Sequence, residues 1–171
     1  MSESLTTGWR PDQVEVMQRL RDWGDGSTEL NQHLAQWMDL PTSDANALGH
    51  ITWSADGGHP LSPAQLSRRI GMTSGATSVL LGRLEAAGHI TRERSQDDLR
   101  RVHLHPTDAA RERTRAFVAF AGAEIGAALR AADPDELRHV LAFLHRMIEG
   151  NRAANERLVR SGAAPGDRLG R

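Results

Sequence analysis

One stretch of the chain, from Leu61 to Thr107, most constrains what this protein can fold into. It reads as two short helices joined by a tight turn, followed by a strand, a charged tip and a second strand. That order of elements is the outline of a winged helix-turn-helix. Because the flanking segments also show helical periodicity, we expect a mainly α fold with a small β-wing.

The first short helix has clear start and stop signals. Ser62 can cap the free backbone amides of a new helix, and Pro63 suits the first helical turn. Gln65 stands three residues after Ser62 and completes a capping box. Gly71 supplies the permissive backbone at which a helix can stop. The pattern therefore predicts a helix that starts at Ser62 and ends at Gly71.

The second short helix is predicted to start after a Thr73 cap and to end near Gly88. Small hydroxyl residues near its start, with an arginine further along, suit a helix that lies in the major groove of DNA. An ordinary surface helix of a bundle fits the same pattern. The expected apolar side holds Ala76, Val79, Leu80 and Leu84. The expected polar side holds Ser74, Thr77, Ser78 and Arg83.

The two strands are predicted to form a ribbon with one wet face, whose inward residues are Ile90, Val102 and Leu104. A guanidinium on a thin hairpin can contact phosphates or enter a narrow minor groove. Acidic neighbours dilute this basic character, so a solvated hairpin without DNA contacts remains open. The arginines of the ribbon and its tip are Arg92, Arg94, Arg100 and Arg101.

These residues give the chain a family resemblance. The motif of Asp-x-Arg, five residues and Leu-Thr, together with the run from residue 70 to residue 90, resembles the MarR (multiple antibiotic resistance regulator) family of bacterial transcription factors. The similarity extends more weakly over residues 10–160. At Val79 the chain departs from many relatives, which carry arginine there. The wing motif stands here as Asp98, Leu99 and Arg100, five further residues, then Pro106 and Thr107.

The resemblance implies a dimeric, sequence-specific DNA-binding regulator of transcription, in the role of a repressor released by a small aromatic or phenolic ligand. In that family Arg100 would reach the minor groove and Asp98 would brace the wing. A winged-helix module that docks protein rather than DNA is the alternative. The predicted DNA-binding residues are Ser74, Gly75, Thr77, Ser78, Arg83, Arg92, Arg94, Arg100 and Arg101.

The amino-acid composition narrows the classes of protein to which this chain can belong. The absence of cysteine excludes disulfides, thiolate metal sites and sensing by the protein's own thiols. No apolar run approaches the roughly 18 residues of a membrane span, and the N-terminus lacks a secretion signal, so we expect a cytoplasmic protein without membrane contact. Residues 60–105 carry 7 arginines against 4 acidic residues, whereas residues 1–59 carry 3 against 9. Basic charge is thus concentrated in the predicted DNA-reading segment.

The helical segments on either side of the DNA-binding lobe are predicted to form a dimer interface. Asp133 caps a strongly amphipathic helix, and a second helix runs from Thr107 and Asp108 to near Ala131. Their apolar stripes need a partner surface, which a two-fold dimer on a pseudo-palindromic site provides; an intramolecular bundle would bury the same stripes. The expected regions are N-terminal helices for dimerisation and support at 10–59, the winged helix-turn-helix DNA-binding lobe at 60–106, C-terminal dimerisation helices at 107–160 and a disordered tail at 161–171.

The N-terminal region leaves one question open. Its helical pattern is interrupted at Gly24 and Gly26, so the sequence fits one long helix or two segments with a new cap at Ser27. Pro41 then breaks the chain, and Thr42 or Ser43 is expected to cap a short helix.

Four residues are candidates for a ligand pocket, since aromatic walls and a titratable donor suit a ring that bears a carboxylate. The eight histidines show no His-x-x-x-His spacing, so we predict no zinc site. No nucleophile motif or phosphate-binding loop is found, so we predict neither an enzyme nor a cofactor. The pocket candidates are His33, Trp37, His50 and Trp53.

Overall fold

The computed structural model describes residues 6–94 and 102–161. The expected mainly helical fold with a β-wing is confirmed, and the chain divides into two compact units, Met1–Ala123 and Glu124–Arg171. No helix within the described ranges is long and apolar enough to cross a membrane. In chain order the elements are α1 (Pro11–Met38), α2 (Thr42–Asp56), α3 (Pro63–Ile70), α4 (Ser74–Ala86), β1 (Ile90–Arg94), β2 (Val102–Pro106), α5 (Asp108–Ala121), α6 (Ala123–Ala131) and α7 (Pro134–Arg160).

Helix α1 is continuous through its two glycines, which settles the question that the sequence left open. Ser27 does not start a new helix. Its hydroxyl donates to the Trp23 carbonyl at 2.7 Å, and the Thr28 hydroxyl donates to the Gly24 carbonyl at 2.9 Å. Both hydroxyls are therefore satisfied by the preceding helical turn, as Ser and Thr inside a helix commonly are.

The start of α2 differs from the expectation. Pro41 occupies the cap position and no side chain caps the helix, so the prediction of a Thr42 or Ser43 cap is wrong. The Ser43 hydroxyl instead donates to the carboxylate of Asp44 at 2.9 Å. A proline cap position costs little here, because extended backbone before a helix is the conformation that proline prefers.

The caps of α3 and α4 are confirmed. The Ser62 hydroxyl accepts from the Gln65 amide at 3.3 Å, and the Gln65 side chain accepts from the Ser62 amide at 2.8 Å. Gly71 ends α3 in the left-handed conformation, with φ of 66°. Thr73 caps α4 by accepting from the Ala76 amide at 3.3 Å.

The wing is an antiparallel ribbon that pairs Ile90 with Pro106 at its base and Arg94 with Val102 at its far end. Ile90 and Leu104 are buried, as expected, and Val102 is partly buried. The ribbon is therefore anchored by two core side chains, Ile90 at its base and Leu104 at its middle.

The expected single helix from Thr107 to near Ala131 is wrong, because the chain breaks at Gly122 into α5 and α6. Gly122 sits so close to the preceding turn that a Cβ there would lie 2.7 Å from the Val118 carbonyl oxygen. The Thr107 cap itself is confirmed, since its hydroxyl accepts from the Ala110 amide at 3.2 Å.

The hydrophobic core lies in the first unit, and each of its elements contributes to it. In the second unit, Asp133 caps α7 by accepting from the Asp135 amide at 2.7 Å, as expected. Helix α7 buries no residue; of its predicted apolar stripe, Val140, Leu141 and Ile148 are exposed, and Leu137 and Leu144 are partly exposed. The largest fully buried apolar side chains of the core are Met38, Leu48, Ile51, Leu66, Leu80, Leu81, Leu84, Ile90 and Leu104.

Candidate nucleic-acid interface

The turn between α3 and α4 is held by its own hydrogen bonds. The Ser67 hydroxyl donates to the Met72 carbonyl at 2.6 Å, and the Met72 amide donates to the Ser67 carbonyl at 3.1 Å. Ser67 is itself nearly buried, so both bonds are shielded from water. The two helices therefore form a helix-turn-helix of defined geometry, with α4 as its second helix.

Leu80 and Leu84 lie on the inward face of α4, as the sequence predicted, but the rest of that face differs from the prediction. Ala76 and Val79 are exposed, whereas Thr77 is buried, with 1% exposure. The Thr77 hydroxyl donates to the Thr73 carbonyl at 2.9 Å, which removes the cost of burying it. Thr77 therefore faces the core, and the expectation that it faces DNA is corrected. The buried residues of α4 are Thr77, Leu80, Leu81 and Leu84.

The outward face of α4 is small and uncharged. The structure places Ser74, Gly75 and Ser78 there, as the sequence predicted, and adds Val79 and Gly82. Val79 is 62% exposed, although it was expected in the core. The face opposite the buried stripe thus presents hydroxyl groups near the helix start and one apolar side chain further along.

Arg83 connects α4 to α2. Its guanidinium donates two hydrogen bonds to the Asp44 carboxylate, from Nη2 to Oδ1 at 2.7 Å and from Nε to Oδ2 at 2.9 Å. Asp44 is 1% exposed, while the Arg83 side chain is 50% exposed. The Asp44 hydrogen bonds raise the pKa of Arg83 above its ordinary value. Arg83, which was predicted to contact DNA, thus has its guanidinium paired within the protein.

Sequence reasoning missed Asp44 altogether. The two partners lie 39 residues apart, so no local spacing connects them. The one available signal was an acidic residue early in α2 followed by alanines, a pattern that is common at helix starts.

Arg92 connects the wing to α4. It lies opposite Leu104 in the register, on the same side of the ribbon as Ile90, and its Nε contacts the Glu85 carboxylate at 3.0 Å. Arg94, at the outer end of β1, is exposed. The pair of Arg92 and Glu85 therefore steadies the wing against the helix. The predicted wing residues that lie outside the described residues are Asp98, Arg100 and Arg101.

The aromatic pocket candidates occupy two different environments. Trp37 stacks on Phe120 with ring centroids 6.4 Å apart and contacts Phe117 edge to face at 5.9 Å. Its carbonyl accepts from the Arg113 guanidinium at 2.7 Å. Trp53 is 80% exposed, so it does not share the inward face of α2.

The histidine candidates also differ from one another. His33 is exposed on α1, whereas His50 is partly buried in α2. Burial lowers the pKa of His50, and the nearby Arg69 cation lowers it further. A cavity of about 620 Å³ at the turn between α1 and α2 is lined by other side chains, among them Gln36 and Thr42. Among the described residues, no three His, Asp or Glu side chains are grouped closely enough to hold a metal ion.

Comparison with known proteins agrees with this geometry. Residues 38–101 match the model of the MarR family. The YcgE protein of Bacillus subtilis (strain 168), named an uncharacterized HTH-type transcriptional regulator, is 27% identical over 97 residues. That match covers 57% of this chain and 60% of YcgE, so the chain spans less than two thirds of this relative's length.

Two solved structures of the S. aureus protein MepR share the fold. MepR in a DNA-binding conformation is 17% identical, with a TM-score of 0.62 over 79% of this chain and 97% of that one. MepR in complex with DNA is 18% identical, with a TM-score of 0.55 over 77% of this chain and 92% of that one. At such identities the likeness supports the winged-helix fold alone.

Proposed function

We propose that this chain, whose residues 38–101 match the model of the MarR family, acts as a sequence-specific regulator of transcription that binds duplex DNA. In this proposal α4 lies in the major groove and the wing of β1 and β2 approaches the neighbouring minor groove. The role is regulatory rather than catalytic.

The observation that carries the proposal is the way α4 is held. It is capped by Thr73, tied to α2 through Arg83 and tied to β1 through Glu85. Its outward face, by contrast, has small side chains that leave the helix backbone accessible. A helix fixed on its inner side and uncovered on its outer side fits a groove without rearrangement, which keeps the entropic cost of binding low.

The structure changes the roles that we propose for individual residues. Thr77, Arg83 and Arg92 support the reading surface, because each is bonded within the protein. Ser74, Gly75 and Ser78 remain candidates for contacts to bases or phosphates, and Arg94 is an exposed cation at the outer end of β1. For Arg100, Arg101 and Asp98 the proposed roles rest on the sequence motif alone.

We further propose that the protein works as a homodimer on a pseudo-palindromic operator. Val140, Leu141 and Ile148 lie at helical spacing along α7, and all three are exposed in the single chain. An exposed apolar stripe of this kind indicates a surface that a partner covers. A two-fold dimer would place two copies of α4 about 34–36 Å apart, which is one turn of the duplex.

Repression and its release by a small aromatic or phenolic anion complete the proposal. Among the four pocket candidates, Trp37 has the most suitable surroundings, because a ligand ring can extend its stack with Phe120. Trp53 and His33 are exposed and would need a partner surface to form a pocket wall. Release requires a ligand that prefers a conformation with a different spacing of the two reading helices.

The test is a titration of the protein against duplexes selected from a random library, repeated at several salt concentrations. We expect affinity to fall linearly on a logarithmic plot, with a slope that corresponds to several phosphates. Arg94→Ala should lower that slope. Arg152→Ala, which removes an exposed arginine of α7 paired with Glu149, is the matched control and should leave it unchanged. A DNA affinity that changes neither with salt concentration nor in Arg94→Ala would favour the protein-docking alternative.

A further inference from the structure

Val79 occupies a distinctive place on the outward face of α4. It stands four residues after Gly75 and three residues before Gly82, and these intervals place all three residues on one side of a helix. Val79 is 62% exposed, whereas its two neighbours have no side chain. Val79 therefore projects between two positions of the helix that carry no side chain.

The folded chain does not itself explain the two glycines. A Cβ at Gly75 or at Gly82 would meet no atom of the described residues within 4 Å. Neither residue has a positive φ, so neither needs the conformational freedom of glycine. Since glycine is disfavoured inside a helix relative to alanine, their use here fits a backbone that approaches an outside surface closely.

Major-groove chemistry identifies the partner of such a face. Base recognition by hydrogen bonding uses Arg, Lys, Asn, Gln, Asp, Glu or hydroxyl groups, and Val79 and the two glycines offer none of them. Arg83, one turn after Val79, is half exposed, but its guanidinium is bonded to Asp44. The apolar feature that the major groove presents is the C5-methyl group of thymine. A valine between two glycines can reach that methyl group and exclude water from it.

We propose that Val79 is a specificity-determining residue that contacts the C5-methyl group of one thymine in each half-site. The operator then carries an A·T pair at that step, and the flanking glycines let α4 approach closely enough for the contact. This inference rests on the proposed DNA binding and adds to it the chemistry by which one base pair is read.

The experiment starts from the duplex that wild-type protein selects from a random library. Each thymine of that duplex is then replaced, one at a time, by deoxyuridine, which lacks only the methyl group. We expect one replacement per half-site to weaken binding about fourfold, the effect of one buried methylene-sized group. The same replacement should leave the affinity of Val79→Ala nearly unchanged, because that variant has already lost the contact.

The controls separate the possible failures. Val118→Ala, which shortens an exposed valine of α5, should retain the full dependence on the thymine methyl. Placing 5-methylcytosine at the sensitive step should restore part of the loss caused by unmethylated cytosine. If no duplex is enriched, the proposed function fails and takes this inference with it. If a duplex is enriched and Val79→Ala depends on every methyl group as wild type does, the inference alone is overturned.

Discussion

The ion pair between Asp44 and Arg83 predicts how the stability and the DNA affinity of the protein respond to a single substitution. Asp44 accepts two charge-assisted hydrogen bonds at 2.7 and 2.9 Å while almost fully buried. Asp44→Asn keeps the shape of the side chain but turns one acceptor oxygen into a donor that faces the guanidinium. One hydrogen bond to a charged group contributes about 1.5–3 kcal/mol, so we expect the free energy of unfolding to fall by about that amount.

For a chain of this size, such a loss lowers Tm by roughly 3–12 °C, measured by circular dichroism. DNA affinity should also fall, because α4 loses its tie to α2. The slope of affinity against salt should stay constant, since Arg83 is not a phosphate contact in this account. Arg83→Met should destabilise the protein more than Asp44→Asn, because it leaves a buried carboxylate without a counter-charge.

Asp56→Asn is the matched control for this prediction. Asp56 lies on the same helix and contacts Arg111 at 2.9 Å and Arg115 at 3.5 Å, but its side chain is about a third exposed and neither partner is on α4. A pair so open to solvent contributes about 0–1 kcal/mol. Equal losses of stability in the two variants, or a salt slope that changes with Arg83, would refute the reasoning.

Three further predictions follow from other parts of the structure. Gly82→Ala should raise the free energy of unfolding by up to about 1 kcal/mol yet weaken DNA binding. Urea melts measure the first effect and DNA titrations the second. A variant that gains both stability and DNA affinity would contradict the close approach of α4 to DNA. Leu141→Glu combined with Ile148→Glu should turn a dimer into an 18.7 kDa monomer in sedimentation, and a monomeric wild type would contradict the proposed dimer. Burial and the Arg69 cation lower the pKa of His50 below 6.5. The unfolded chain therefore binds the proton more readily, and the free energy of unfolding falls as pH drops below about 6.5. His50→Gln should weaken this pH dependence in urea melts, and a variant with the same pH dependence as wild type would contradict the assignment to His50.

Local signals in the sequence predicted most of the fold. The caps at Ser62, Thr73, Thr107 and Asp133 each involve a hydroxyl or carboxylate and an amide two or three residues away. Such contacts depend only on neighbours in the chain, so they can be read before any tertiary structure is known. The order of elements, and with it the winged-helix fold, followed from these boundaries.

The phase of α4 could not be predicted by the same reasoning. Hydrophobicity favours Val79 inside and Thr77 outside, and the structure reverses both. Thr77 can be buried because its hydroxyl is satisfied by Thr73 one turn earlier, a bond that a simple apolar pattern does not reveal. Val79 is exposed because the phase of the helix that buries Leu80, Leu81 and Leu84 turns it outward.

The pair of Asp44 and Arg83 and the break at Gly122 were missed for a related reason. The partner of Arg83 lies on another helix, and the close approach of Gly122 to the Val118 carbonyl is seen only in the folded chain. Both depend on three-dimensional proximity. The location of the candidate site was therefore predictable from the sequence, while it took the structure to tell which of its side chains are buried or bonded within the protein.

Dimethyl sulfate protection of the selected duplex tests the central claim most directly, because the reagent methylates guanine N7 in the major groove and adenine N3 in the minor groove. The account predicts two patches of protected guanine N7 about one helical turn apart, each adjoined by protected adenine N3 on its outer side. A bound complex in which N7 stays fully reactive, or in which only one patch is protected, would contradict it.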